Sequence, residues 1–153
     1  LGYNYRLTNL QAALGCAQME QLDDHITAKR RIAAAYRRSL SDVPGVTLMP
    51  EAPWADSVYW LYTIGVDEDR FGMSSRELLK RLAAERVQSR PLWQPMHRSP
   101  VHSEGSFQQC PVADRLNRDA LSLPSSVELT SREQERVIQA VRAAACGGRR
   151  QAA

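Results

Sequence analysis

A short polar stretch at the start of the chain carries groups that bind anions. It offers two phenol hydroxyls, a carboxamide and a guanidinium, on Tyr3, Tyr5, Asn4 and Arg6. Just behind it, Thr8 and Gln11 form a capping box, which predicts a helix that begins near Asn9. Because a helix N-terminus carries a partial positive charge, a phosphate suits this position. Packing and turn formation are the alternative roles of the same side chains.

A second set of candidate groups lies in a proline-punctuated loop at residues 87–100. The prolines restrict the backbone, so the loop can place polar groups accurately. Its candidates are Arg90, Trp93, His97 and Arg98, with His102 nearby. Hydrolysis by a nucleophilic triad is excluded, because no Ser or Cys stands in a recognisable nucleophile elbow. A metal site is excluded too, since the three histidines lack further ligands at suitable spacing.

Composition excludes other classes of function. The three cysteines are widely spaced, so neither a disulfide framework nor a zinc site is indicated. The net charge is +3, but 17 acidic residues are interleaved with 20 basic ones, which argues against nucleic-acid binding. No stretch approaches 18 apolar residues. We therefore expect a cytoplasmic protein that does not enter a membrane.

A long helical segment must position the first set of groups. Apolar residues recur at helical spacing over residues 9–40, which predicts one long helix, or two with a break near Gly15. Pro44 and Gly45 stop it. A short strand is expected at 46–48, and Ser57–Val66 alternates so clearly that we predict a central strand there.

The remaining elements must position the loop. A capping box at Ser74 predicts one helix, and another at Thr130 predicts the last. Between them we expect a short strand before the loop, a short helix at 111–119 and an extended segment at 121–124. The predicted fold class is α+β, a long N-terminal helix feeding a small domain of two or three strands packed with helices. We divide the chain into 1–40, an interface segment and linking helix; 41–145, a small α/β domain; and 146–153, a disordered tail.

The amino-acid sequences of three stretches resemble those of a known family. Residues 2–15 (GYNYRLTNLQAALG), continuing over 18–22, resemble the segment that opens the C-terminal part of nucleotide-sugar aminotransferases of the DegT/StrS type. Ser89–His97 is similar to the loop of members that act on UDP-linked, N-acetylated 4-keto sugars, and Leu121–Ser126 resembles the next landmark. The resemblance covers residues 1 to about 145 in unbroken order and corresponds to less than half of such an enzyme.

The resemblance implies the C-terminal portion of a fold type I enzyme. In this family pyridoxal 5′-phosphate forms a Schiff base with a lysine, takes an amino group from glutamate and passes it to a ketone on the sugar. The chain has two lysines, Lys29 and Lys80, and neither sits in the expected motif. We therefore predict no catalytic residue within this chain and expect it to be inactive alone.

The resemblance also implies a homodimer with sites at the subunit interface. Asn4 matches the residue that reaches the cofactor phosphate of the partner subunit. Arg6 and His97 match positions that contact the nucleotide-sugar across the interface. Arg90 and Trp93 are further substrate candidates, with backbone bridging and core packing as their alternative roles.

One residue departs from the family pattern. Where the family usually has Gly or Asn before the strand of the proline loop, this chain has Arg86, which incurs a steric cost if its backbone is left-handed.

The resulting prediction is an aminotransferase of polysaccharide or glycan biosynthesis, with a UDP-linked 4-keto-6-deoxy-N-acetylhexosamine as acceptor. A GDP-linked 4-keto sugar and a 3-keto sugar are the nearest alternatives. The rival hypothesis, from a different class, is a catalytically inactive truncated remnant or a dimerising interaction module.

Overall fold

Two consecutive helices open the fold. The computed structural model describes residues 2, 3, 5–102 and 109–148. Helix α1 spans Asn9–Glu20 and helix α2 spans Leu22–Leu40. The break between them falls at Gln21, so the predicted break near Gly15 is wrong; Gly15 lies inside α1.

The predicted stop after α2 is confirmed. Gly45 adopts a left-handed φ of 78°, and a Cβ atom there would collide with the backbone of Phe71. Only glycine fits such a turn without strain.

Among the described residues the sheet contains four antiparallel strands, which is one or two more than predicted. They are β1 (Val46–Leu48), β2 (Tyr62–Val66), β3 (Arg90–Pro91) and β4 (Ala120–Leu123), in the order β1-β2-β4-β3. The register pairs Ile64 with Leu48 on one side and with Leu121 on the other. Strands β2 and β4 are therefore central, and β1 and β3 form the two edges.

The central strand is shorter than the alternation of residues 57–66 predicts. Tyr59 has a φ of 46°, which is incompatible with an extended strand. Its hydroxyl donates to Glu51 Oε2 at 2.9 Å and accepts from Arg37 Nη2 at 2.8 Å. These bonds hold the left-handed residue in place, and β2 begins only at Tyr62.

Four further helices complete the part of the fold that the structure describes. They are α3 (Glu68–Phe71), α4 (Ser75–Ala84), α5 (Pro111–Asp119) and α6 (Ser131–Gly148), with 3₁₀ turns at Met96–Arg98 and Pro100–His102. All three predicted capping boxes are present. Helix α6 continues to Gly148, past the predicted start of the tail at 146, and residues 149–153 lie outside the described part.

Arg86, just after the end of α4, has the left-handed backbone that would make a non-glycine residue costly there. Its φ is 58°, its N–H donates to Ala83 O at 2.9 Å, and the N–H of Val87 donates to Leu82 O at 2.8 Å. These two bonds define a Schellman motif, whose left-handed residue is usually glycine. A non-glycine residue in this conformation costs roughly 1–2 kcal/mol.

The hydrophobic core lies on one face of the sheet, beneath α2, α4 and α6. Its largest fully buried apolar side chains are Tyr36, Tyr62, Phe71, Ile32, Leu40, Ile64, Leu78, Leu82, Leu121 and Val141. The rings of Tyr36 and Tyr62 stack with centroids 5.0 Å apart. Because α2 supplies part of this core, the linking helix and the small domain pack as one unit. None of the described helices is long and apolar enough to cross a membrane.

Candidate functional site

Helix α5 fixes the position of the proline loop. Asn117 donates through Nδ2 to two loop carbonyls, Leu92 O at 2.8 Å and Trp93 O at 3.0 Å. Within the loop, Gln94 Nε2 donates to Arg98 O at 2.5 Å. The restriction from the prolines and these bonds together give the loop one shape.

His97 contacts Asp114, which lies on the neighbouring turn of α5. Its Nε2 lies 2.9 Å from Asp114 Oδ1, and Arg98 Nε lies 2.6 Å from the same oxygen. Burial acts to raise the pKa of Asp114, but the hydrogen bonds from His97 and Arg98 outweigh it and leave this pKa lowered. The His97 side chain is 17% exposed, so it is partly accessible at the surface.

Arg90 and Trp93 line a groove on the other side of the loop. The groove encloses about 1170 Å³. Trp93 stacks on Trp60, with ring centroids 5.6 Å apart and ring planes inclined by 26°, and both rings are mostly exposed. Trp93 is therefore not a core residue. Arg90 is exposed at the edge strand beside it.

Lys29 is another residue that lines this groove. Its Nζ donates to Trp60 O at 2.8 Å and to Ser125 O at 2.5 Å, and burial lowers its pKa. The ammonium therefore joins the segment before β2 to the turn after β4. With two carbonyls bound to it, Lys29 does not offer a free amine to a cofactor aldehyde, and Lys80 is exposed on α4.

The described residues of the opening stretch do not line the groove. Tyr3 and Tyr5 are exposed, with ring centroids 6.0 Å apart. Arg6 is also exposed and is not among the residues that line the groove. Asn4, predicted to bind the cofactor phosphate, lies outside the described residues. The structure thus brings Arg90 and Trp93 together and places His97 against α5, while Arg6 does not line the groove.

Sequence reasoning missed four residues of the site, Trp60, Lys29, Asp114 and Asn117. A signal for two of them was present, because Asp114 and Asn117 are three apart on the predicted helix and so share one face. The contacts of Lys29 span 31 and 96 residues, and no local pattern indicates them. Groups of three or more metal-ligating side chains are absent from the described part of the chain.

One protein-family match spans the opening stretch, the loop and β4 together. The DegT/DnrJ/EryC1/StrS aminotransferase family matches residues 1–142. The chain belongs to this family. The predicted family and fold class, with four strands in place of two or three, are confirmed by this match and by the structural similarity below.

Three similar proteins illustrate the relationship. The chain is 36% identical to EpsN of Bacillus subtilis over 143 residues, which are 91% of this chain and 36% of that protein. It is 34% identical to the GDP-perosamine synthase of Caulobacter vibrioides over 144 residues, 92% of this chain and 38% of the synthase. The crystal structure of DesI in the presence of its TDP-sugar product superimposes with a TM-score of 0.89 at 26% identity, over 99% of this chain and 39% of DesI.

The chain therefore spans less than two fifths of the length of these relatives.

Proposed function

We propose that this chain is the C-terminal portion of a pyridoxal phosphate-dependent aminotransferase that moves an amino group from glutamate to a nucleotide-linked keto sugar. The observation that carries the proposal is the family match over residues 1–142, which includes both the opening stretch and the clamped loop. The name of EpsN describes a pyridoxal phosphate-dependent aminotransferase, which supports the cofactor. Surface polysaccharide or glycan synthesis in the cytoplasm is the setting that we propose.

The cofactor, when bound, carries the amino group between donor and acceptor. Lys29 is bound to two carbonyls, and neither Lys29 nor Lys80 lies in the lysine motif expected for the family, so we propose that the Schiff-base lysine belongs to a part of the protein beyond these residues. This chain contributes binding groups instead. In our proposal Asn4 donates to the cofactor phosphate of the partner subunit, as an amide on a charged oxygen.

The nucleotide-sugar groups come from the opening stretch and the loop. Arg6 can hold a diphosphate oxygen pair in a fork, and His97 can bond a sugar or phosphate oxygen. Arg90 and Trp93, together on the groove, are the further contacts: a cation for the diphosphate and an exposed ring for stacking. We propose residues 1–40 as the dimer interface segment, with α2 shared with the 41–145 domain through its buried face.

Two acceptors follow from two observations. The amino-acid sequence of Ser89–His97, which resembles the loop of members acting on such sugars, favours a UDP-linked 4-keto-6-deoxy-N-acetylhexosamine. The relatives named GDP-perosamine synthase favour a GDP-linked sugar. Both acceptors are nucleotide-linked sugars, so the reaction class is the same. They differ in the base of the nucleotide and in the substituent at C2 of the sugar.

The test is an assay of the complete protein with glutamate and a panel of UDP-, GDP- and TDP-linked keto sugars. We expect 2-oxoglutarate and an amino sugar from at least one member, and the preferred nucleotide identifies the acceptor. The chain of 153 residues alone should bind no pyridoxal phosphate detectable by its absorbance. Inactivity of the complete protein towards every keto sugar would overturn the proposal.

The second candidate is an inactive remnant or a dimerising interaction module. One observation favours it: α1 has no buried residue and exposes Leu10 and Leu14. Sequencing the DNA upstream discriminates between the candidates. An in-frame extension with a lysine in a Ser-x-x-Lys type of context supports the enzyme, and a start codon directly before Leu1 supports the remnant.

Hybrid dimers test where Asn4 and Arg6 act. In the complete protein, Asn4→Ala removes one hydrogen bond to a charged phosphate, roughly 1.5–3 kcal/mol, and should weaken cofactor binding. Arg6→Ala should weaken nucleotide-sugar binding with little effect on the cofactor. Mixing either variant with a variant of the Schiff-base lysine should restore activity, because one hybrid site then holds both intact groups. No recovery despite confirmed subunit exchange would show that both residues act within their own subunit.

A further inference from the structure

The contact between His97 and Asp114 restricts which ring nitrogen of His97 can face a ligand. An ionised carboxylate has only acceptor oxygens, so the nitrogen that faces it must carry the hydrogen. Here that nitrogen is Nε2, 2.9 Å from Asp114 Oδ1. In a neutral imidazole the other nitrogen, Nδ1, then holds a lone pair and can only accept a hydrogen bond.

Arg98 decides how the carboxylate acts on the ring. Its Nε lies 2.6 Å from the same oxygen of Asp114, so the single negative charge of the carboxylate already has a cationic partner. The carboxylate therefore serves His97 as a hydrogen-bond acceptor more than as a counter-ion. Such carboxylate contacts commonly fix the tautomer and orientation of a functional histidine.

The position of Nδ1 allows it to meet a ligand. His97 lies on the 3₁₀ turn Met96–Arg98, Nε2 faces α5, and 17% of the side chain is exposed. Within the described residues no hydrogen-bond partner of Nδ1 is present. The loop that carries the ring is held in turn by Asn117, one helical turn along α5 from Asp114.

We propose that Asp114 is a positioning residue that fixes His97 as the Nε2–H tautomer, so that Nδ1 accepts a hydrogen bond from a hydroxyl of the nucleotide-linked sugar. The ligand half of this inference rests on the proposed function. The tautomer half rests only on the contacts of this chain. It narrows the role of His97, because a neutral ring of this tautomer cannot donate to a phosphate oxygen.

The tautomer is tested by NMR on the ¹⁵N-histidine-labelled 153-residue chain, at a pH where the nitrogen chemical shifts of the His97 ring themselves report the neutral form. We expect the His97 ring hydrogen on Nε2, with a slowly exchanging downfield proton signal. Asp114→Ala should abolish that signal. Asp114→Leu, whose side chain has the same number of heavy atoms as Asp and no hydrogen-bond acceptor, repeats the test if the alanine variant fails to fold.

Asp119→Ala is the matched control. Asp119 is on the same helix and pairs with Arg118, so the variant removes an equal charge without a contact to His97. The His97 signal should survive it. A ring hydrogen found on Nδ1, or a signal unchanged in Asp114→Ala, would overturn the inference without any activity measurement.

The ligand half is tested by kinetics on the complete protein. Asp114→Ala should raise KM for the nucleotide-sugar about two- to tenfold, the loss of one neutral hydrogen bond, with a smaller change in kcat. His97→Asn, whose amide lies near the position of Nδ1, should retain more affinity than His97→Gln, whose amide lies near Nε2. If the protein is active and KM is unchanged in Asp114→Ala, the inference about the ligand is wrong. If the protein transfers no amino group to any keto sugar, the proposed function is wrong. The NMR experiment tests the tautomer in either case.

Discussion

Helices α1 and α4 begin with the same local motif but differ in what they bury. In α1 the N–H of Gln11 donates to Thr8 Oγ1 at 3.3 Å, and in α4 the N–H of Glu77 donates to Ser74 Oγ at 3.3 Å. Both boxes are completed by the reciprocal bond from the cap backbone. Yet α1 buries no residue, whereas α4 buries Leu78 and Leu82 completely.

The difference separates two contributions to a helix. A cap decides where the helix begins, because it satisfies N–H groups that the first turn leaves unpaired. Burial against other elements decides whether the helix shares in the stability of the domain, since most helical stability in proteins comes from packing. By this argument α4 belongs to the domain energetically, and α1 in this chain does not.

Amide hydrogen exchange should give the largest contrast. The amides of α4 are expected to exchange only on global unfolding, which typically requires about 5–15 kcal/mol. The amides of α1, a 12-residue helix without tertiary packing, should be slowed by less than about tenfold. NMR or mass spectrometry of the 153-residue chain measures both. Protection of α1 that matches α4 and disappears on dilution would show that a second copy covers it.

Truncation of one leucine in each helix should give the next largest contrast. Leu82→Ala removes a fully buried side chain and should lower the free energy of unfolding by about 2–5 kcal/mol. Leu14→Ala removes an exposed one and should change it by less than about 0.5 kcal/mol. Urea denaturation of both variants measures these values. A large loss in Leu14→Ala would mean that α1 packs on the domain after all.

Removal of each cap should show the same asymmetry on a smaller scale. Ser74→Ala should cost about 1 kcal/mol in global unfolding, the usual effect of losing a serine cap. Thr8→Ala removes an equivalent bond but should leave global unfolding unchanged and reduce only the helical content of α1. Chemical denaturation and far-ultraviolet circular dichroism distinguish the two. Equal global losses would contradict the comparison.

Acid should weaken only one of the two boxes. Hydrogen bonds from the backbone and hydroxyl of Ser74 lower the pKa of Glu77 from its ordinary 4.5. A lowered folded-state pKa stabilises the fold above about pH 4.5, and this contribution disappears as the pH falls through the folded value. Glu77→Gln should therefore reduce the loss of Tm between pH 5 and pH 3.

The matching position in α1 is Gln11, which does not titrate, so the α1 box should keep its strength in acid. Glu128→Gln is the control for Glu77→Gln. Glu128 is exposed, and its carboxylate has no ion pair in the described part of the chain. A Tm profile identical for wild type and Glu77→Gln would count against the box as the source of the pH effect.

The same contrast explains which elements the sequence predicted. All three capping boxes were found, because each depends on residues three apart. The start of β2 was missed, because the left-handed backbone of Tyr59 is held by Glu51 and Arg37, eight and 22 residues away. The number of strands was also missed: β3 has two residues, too few for an alternating pattern.

The candidate site was predictable only in its separate parts. The family resemblance placed His97, Arg90 and Trp93 in one loop, because the amino-acid sequence of that loop is specific. Their partners Asp114 and Asn117 are 17 to 25 residues distant, and only the packing of α5 on the loop brings them together. Asn4 lies outside the described residues, and its role stays a prediction.

The two edges of the sheet limit self-association by strand pairing. The β3 edge consists of Arg90 and Pro91, and proline has no N–H to offer an approaching strand. The β1 edge is three residues long and is followed by Pro50 within two residues. Short, proline-bounded edges of this kind protect sheets from growing into aggregates. The sheet can therefore remain only four strands wide without recruiting a fifth from another chain.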